Sequence, residues 1–152
     1  MRSSDATLSP AETRDLHRIA GMMIPASEEY GLPGADDPII FADIVRSLGR
    51  DAADVRAALA ELAVLGDGVF ADLDADGAEA VAASFRASGS TVVAKLGRVI
   101  LQCYYRDDRV LHSCGMEPRP PFPKGHVVEQ GDWSLLDPVR NRPPSWRNDR
   151  AA

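Results

Sequence analysis

Apolar side chains recur every three or four residues through most of positions 1–115, the spacing of one face of an α-helix. The first run opens at Ser9-Pro10-Ala11-Glu12, where serine can cap, proline suits the first helical position and glutamate completes a capping box. Leu16, Ile19, Ala20 and Met23 follow at helical spacing, and Pro25 closes the run. Residues 26–37, rich in glycine, proline and aspartate, read as a loop. Asp37-Pro38 starts a second helix with Phe41, Ile44, Val45 and Leu48 as its buried stripe and Gly49 as its break. Asp51 caps a third, with Val55, Ala58, Leu59 and Leu62 on one face, ended by Gly66-Asp67-Gly68. A fourth runs from about residue 76 to 87 and buries Val81 and Phe85. Ser90 or Thr91 opens a fifth carrying Val92, Val93, Leu96, Val99 and Ile100. The β-branched residues Thr91, Val92, Val93 and Val99 would also suit a strand. Helix is preferred, because the 3.6-residue pattern holds over two turns and no other segment offers a strand partner. A short sixth helix starts at Asp107 or Asp108 and ends at Gly115.

From residue 116 the pattern stops. Residues 116–152 hold seven of the eleven prolines, and proline imposes extended or polyproline geometry rather than a packed helix. The segment is nevertheless no simple linker. It carries Phe122, Trp133, Leu135, Leu136, Val139 and Trp146, which include both tryptophans of the chain and are costly to leave in water. Extended chain with spaced aromatic anchors lies on a surface, its own or a partner's. The expected fold is therefore all-α. A bundle of about five to six helices over residues 1–115 is followed by a long, extended, proline-rich tail over residues 116–152.

Composition supports close-packed helices. Apolar residues make up 45% of the 152 positions and aromatics only 6%, so alanine, the best helix former, supplies much of the apolar content. The length suits one domain with a real core. Net charge is −6 and unevenly placed: residues 1–89 balance at −9 and residues 90–152 at +3. That is far from the strongly basic patch of a nucleic-acid binder. The acidic half reads as a solvated helical surface, and the mildly basic end suits an acidic protein surface. No run of about 18 apolar residues is present, so no membrane span is expected. The opening MRSSDATLSPAE lacks the apolar core of a secretory signal, and its single Arg2 is not a twin-arginine signal. A cytoplasmic location is expected. A signal removed from the chain, or periplasmic export alongside a partner, would also fit.

Candidate chemistry is thin. Asp72-Leu73-Asp74-Ala75-Asp76-Gly77 matches the first half of an EF-hand loop, but the twelfth position, which should be a bidentate glutamate, is Ala83. The simpler reading is an acidic turn whose last aspartate caps the fourth helix. Cys103, His112, Cys114 and His126 could be assembled as zinc ligands, yet their spacing fits no standard module. A buried pair of thiols or one disulfide is simpler. Asp107-Asp108 complements the dipole of a helix start. His17 sits among polar residues with no matching acid or nucleophile beside it. No nucleophile elbow, Walker loop or dinucleotide fingerprint is present. No catalytic residue and no cofactor or metal ligand is therefore assigned to this chain.

Leu8-Ser9-Pro10-Ala11-Glu12 followed by Ile19-Ala20-Gly21-Met22-Met23-Ile24-Pro25-Ala26 resembles the start of the gluconate 2-dehydrogenase subunit 3 family. These are the small (gamma) subunits of flavin-dependent sugar and sugar-acid dehydrogenases. Pro121-Phe122-Pro123-Lys124-Gly125 and Glu129-Gln130-Gly131-Asp132-Trp133-Ser134-Leu135-Leu136-Asp137-Pro138-Val139-Arg140 resemble the tail of small proteins accompanying oxidoreductases of the glucose-methanol-choline type. The resemblance implies a helical accessory subunit without flavin, and a larger catalytic partner that carries FAD. The tail is expected to dock on that partner through Phe122, Lys124, Trp133, Leu135, Leu136, Arg140, Arg142, Trp146 and Arg147. The aromatic groups would fill pockets, with arginines at the rim. Wrapping of the tail over its own helices is the competing expectation. The alternatives are a stand-alone metal-binding protein or enzyme using Cys103, His112, Cys114 and His126, or a homo-oligomeric interaction module that exchanges its tail.

Overall fold

A computed structural model describes residues 8–120, 125 and 127–143. They form seven helices and no named strand: α1 (Pro10–Met23), α2 (Pro38–Arg46), α3 (Ala52–Leu65), α4 (Ala75–Ala87), α5 (Thr91–Tyr104), α6 (Asp108–Ser113) and α7 (Asp137–Arg140). Short 3₁₀ turns occupy Gly49–Asp51, Phe70–Asp72 and Trp133–Leu136. The chain divides into two compact units at Pro118, with α1 to α6 in the first.

The helix starts follow their sequence signals. Ser9 and Glu12 close the capping box on α1: Ser9 Oγ accepts from Glu12 N–H at 3.2 Å, and Glu12 Oε2 accepts from Ser9 N–H at 2.7 Å. Both Pro10 and Pro38 sit in the first helical turn, where the missing N–H is no loss. Asp37 caps α2, accepting from the N–H groups of Ile39 and Ile40. Two starts differ from the expectation. Asp51 makes no cap hydrogen bond to α3; its carboxylate accepts from Arg98 at 2.9 Å, and a 3₁₀ turn leads into the helix instead. Asp74, rather than the last aspartate of its run, caps α4 by accepting from Gly77 N–H at 2.8 Å.

Residues 91–104 are a helix, as the 3.6-residue pattern requires. Leu96, Val99, Ile100, Cys103 and Tyr104 form its buried stripe. The stripe packs on α3, whose Val55, Ala58, Leu59 and Leu62 are fully enclosed, and α3 is flanked in turn by α1 and α4. Helix α2 presents Ile40, Ile44 and Leu48 to the core, while Phe41 is only partly buried and Val45 is exposed. Met23 likewise lies outside the core at the end of α1.

A polar lock joins α1 to the loop before α4. The Arg18 guanidinium donates to the backbone carbonyls of Phe70, Ala71, Leu73 and Asp74 at 2.5–3.3 Å and lies over the Phe70 ring. Buried Asp15 accepts from Ala71 N–H at 2.8 Å, and Arg14 pairs with Asp72 at 2.7 Å. Unpaired carbonyls this close to the core would be costly, and one planar donor group satisfies four of them.

Gly34 lies at a second tight approach. A β-carbon there would fall 2.3 Å from Asp36 Oδ1, 3.0 Å from Ala26 N and 3.2 Å from Ile24 O. The Asp36 carboxylate can swing away, but the backbone of the Ile24–Ala26 turn cannot. Gly34→Ala is expected to lower stability by about 2 kcal/mol, the scale of an overpacking substitution, as measured by urea unfolding.

The caps of α2 and α6 share one cation. Arg109 donates to Asp37 at 2.7 and 3.1 Å and to Asp107 at 2.9 and 3.0 Å, and Asp107 also accepts from Arg109 N–H. Hydrogen bonds from Arg109 hold both carboxyls below the usual aspartate range. A carboxyl lowered by folding adds stability that is fully present above its unfolded value, near pH 4, and is lost as pH falls through its folded value. Acidification below about pH 4 is therefore expected to destabilise the wild-type chain more steeply than Arg109→Ala, in thermal melts taken across pH 2–6.

Candidate protein-docking site

Within the tail, Trp133–Arg140 form a helical turn where extended chain was expected, while the other described residues of 116–143 carry no helix. Asp132 starts the turn, its carboxylate accepting from the N–H and the hydroxyl of Ser134 at 3.0 and 2.6 Å. Those bonds also keep the Asp132 carboxyl below its usual range. Trp133–Leu136 continues as a 3₁₀ turn, and Pro138 sits in the first turn of α7, a place where proline favours helix. Capping chemistry thus overrides the extended bias expected from the proline content.

Trp133, Leu135, Leu136, Arg140 and Arg142 all fall in or beside this turn. Phe122, Lys124, Trp146 and Arg147 lie outside the described residues. Trp133 Nε1 donates to Gln130 Oε1 at 2.9 Å, so its polar atom is satisfied locally while the ring stays exposed. Relative exposures are 60% for Trp133, 74% for Leu135, 42% for Leu136 and 57% for Val139. A unit this short cannot bury such groups against itself, and residues 127–143 are all exposed. Trp133, Leu136 and Val139, three apart, fall along one edge. Arg140 pairs with Asp137 at 3.2 Å, both ends more than half exposed, a weak surface pair that a stronger acceptor can replace.

The Cys/His set is scattered. Cys103 is buried on α5, where Arg106 donates toward its sulfur at 3.6 Å and also holds Asp43 and Ser47. Desolvation raises the Cys103 thiol, which favours the unreactive protonated form. Cys114 is exposed past α6, and His112 Nδ1 bonds the Asp108 carbonyl one turn back. Both thiols are free, and His126 lies outside the described residues. No group of three His, Cys, Asp or Glu able to hold a metal occurs among the described residues. In the EF-hand-like run, Arg14 holds Asp72, Asp74 caps α4, and Arg18 takes up the carbonyls of Leu73 and Asp74. An arginine therefore stands where a calcium loop would present oxygens to an ion. His17 is exposed and meets Phe41 edge to face at 4.7 Å.

The sequence offered no signal for a groove between α1, α4 and α5, of about 430 Å³ and lined by Met22, Met23, Phe85, Leu96, Gly97 and Ile100. Its lining combines side chains from three helices, a combination that only tertiary packing creates. No protein-family model, curated protein or solved structure matches this chain. Among the described residues, no helix is long and apolar enough to cross a membrane.

Proposed function

We propose that this chain is a non-catalytic accessory subunit that docks on a larger flavin-dependent oxidoreductase, of the kind that oxidises sugars or glycosides. The observation that supports docking is the exposed Trp133–Leu136–Val139 edge on a capped helical turn. Tryptophan and arginine are the residue types that dominate binding energy, and here a tryptophan starts the turn and arginines end it. The identity of the partner rests on the two sequence resemblances, at residues 8–26 and 121–140, and FAD belongs to that partner. In this reading the chain covers an apolar face of the catalytic subunit and stabilises it by binding its folded form.

Purification of the tagged full-length chain from its native host tests the reading. The expected eluate holds a second, larger chain and absorbs as bound flavin. A colourless single chain at low salt would contradict it.

A further inference from the structure

The groove between α1, α4 and α5 has no cover within the helical unit, and its rim is charged at both ends. Glu79 and Arg86 stand on the same side of α4, seven residues and about 10 Å apart. Neither makes a side-chain hydrogen bond or ion pair among the described residues, although most arginines of this unit do. The tail turn has the complementary layout. Its apolar edge of Trp133, Leu136 and Val139 is flanked by Asp132 at one end and by Arg140 at the other, about 14 Å apart along the turn.

We propose that this groove receives the Trp133–Arg140 turn of a second copy of the chain, laid antiparallel to α4. Asp132 then meets Arg86, and Arg140 leaves its exposed pair with Asp137 to meet Glu79. Trp133, Leu136 and Val139 enter the apolar floor, where Met22 and Met23 adapt to an indole ring. Exchange is reciprocal, so two seats form per pair and the assembly closes as a two-fold dimer. The second seat is intramolecular once the first has formed, which raises the affinity of the pair. The inference stands on the groove and the tail alone. Only its consequence, that an oxidoreductase must displace the second copy to take the tail, rests on the accessory-subunit function.

Sedimentation equilibrium of the full-length chain over a wide concentration range tests it. The wild type is expected to dimerise, and Trp133→Ala to raise the dimer dissociation constant by about a thousand-fold, since one central anchor is lost at each of the two seats. Gly97→Leu blocks the groove with a similar loss; its β-carbon would sit 3.6 Å from Met23 Cε, an ordinary contact, and a thermal melt of the variant checks that it is folded. Glu79→Arg and Arg140→Glu each weaken the dimer, and the two together in one chain restore it. A monomer at every concentration overturns the proposal, as does a dimer indifferent to Trp133→Ala and Gly97→Leu. Failure of the double reversal to restore binding overturns the stated orientation. Partner capture is scored separately by flavin absorbance, so neither result decides the other.

Discussion

Arg18→Met is expected to destabilise the helical unit by about 3 kcal/mol, among the largest effects of any single polar substitution in this chain. Methionine keeps the apolar stem that lies along α1 but removes every donor. Four carbonyls, of Phe70, Ala71, Leu73 and Asp74, then lose the guanidinium that satisfies them. Water can replace it at the exposed Asp74 carbonyl but less well at the three part-buried ones, which is why the loss exceeds that of one ordinary hydrogen bond. The cation over the Phe70 ring is lost as well. Arg18→Lys is expected to recover little, because an ammonium cannot spread donors over four acceptors in a fixed plane. Urea unfolding checks both variants, and the melting temperature of Arg18→Met should fall by on the order of 10 °C.

Trp133→Ala is expected to weaken partner binding by at least about thirty-fold while leaving the melting temperature of the dilute chain unchanged. The two halves of the expectation have separate causes. An exposed indole bonded only to Gln130 contributes little to folding, so its removal costs the isolated chain almost nothing. The same ring is the largest exposed apolar group of the described tail, and a central aromatic anchor carries a large share of an interface's energy. Leu136→Ala should act in the same direction with a smaller effect, and Arg140→Ala should chiefly lower the salt sensitivity of binding. Titration of the captured oxidoreductase with each variant, beside thermal melts of the variant alone, reads both quantities. If Trp133→Ala instead lowered the melting temperature by several degrees, the tail would be part of the fold, wrapped over its own helices.

Local signals made much of the helical unit legible. Ser9, Asp37 and the two prolines beside them place the starts of α1 and α2, because capping depends on residues within one turn. Asp51 misled for a tertiary reason: Arg98, far along the chain, claims its carboxylate. Arg14, Asp15 and Arg18 looked like an ordinary polar face of α1, and nothing in their spacing points to a loop more than fifty residues away. Val45 and Met23 matched the helical period but fall at the edge of their stripes, where periodicity cannot tell core from rim. In the tail, composition pointed to extended chain. The Asp132-Trp133-Ser134 cap and Pro138 at a first turn, signals already used for α1 and α2, locate the helical turn instead. The groove was not legible at all, since its walls come from α1, α4 and α5 together.

We propose that this chain stabilises a flavin-bearing partner by docking on it. The most direct test is the temperature at which flavin is released from the co-purified oxidoreductase, read by flavin fluorescence. The measurement is made on the oxidoreductase stripped of this chain, and again with the chain restored in excess. Binding to the folded partner at about 100 times the dissociation constant should stabilise it by about 2.7 kcal/mol and raise the release temperature by several degrees. The rise should be lost when the restored chain carries Trp133→Ala. A release temperature unchanged by saturating wild-type chain would contradict the account.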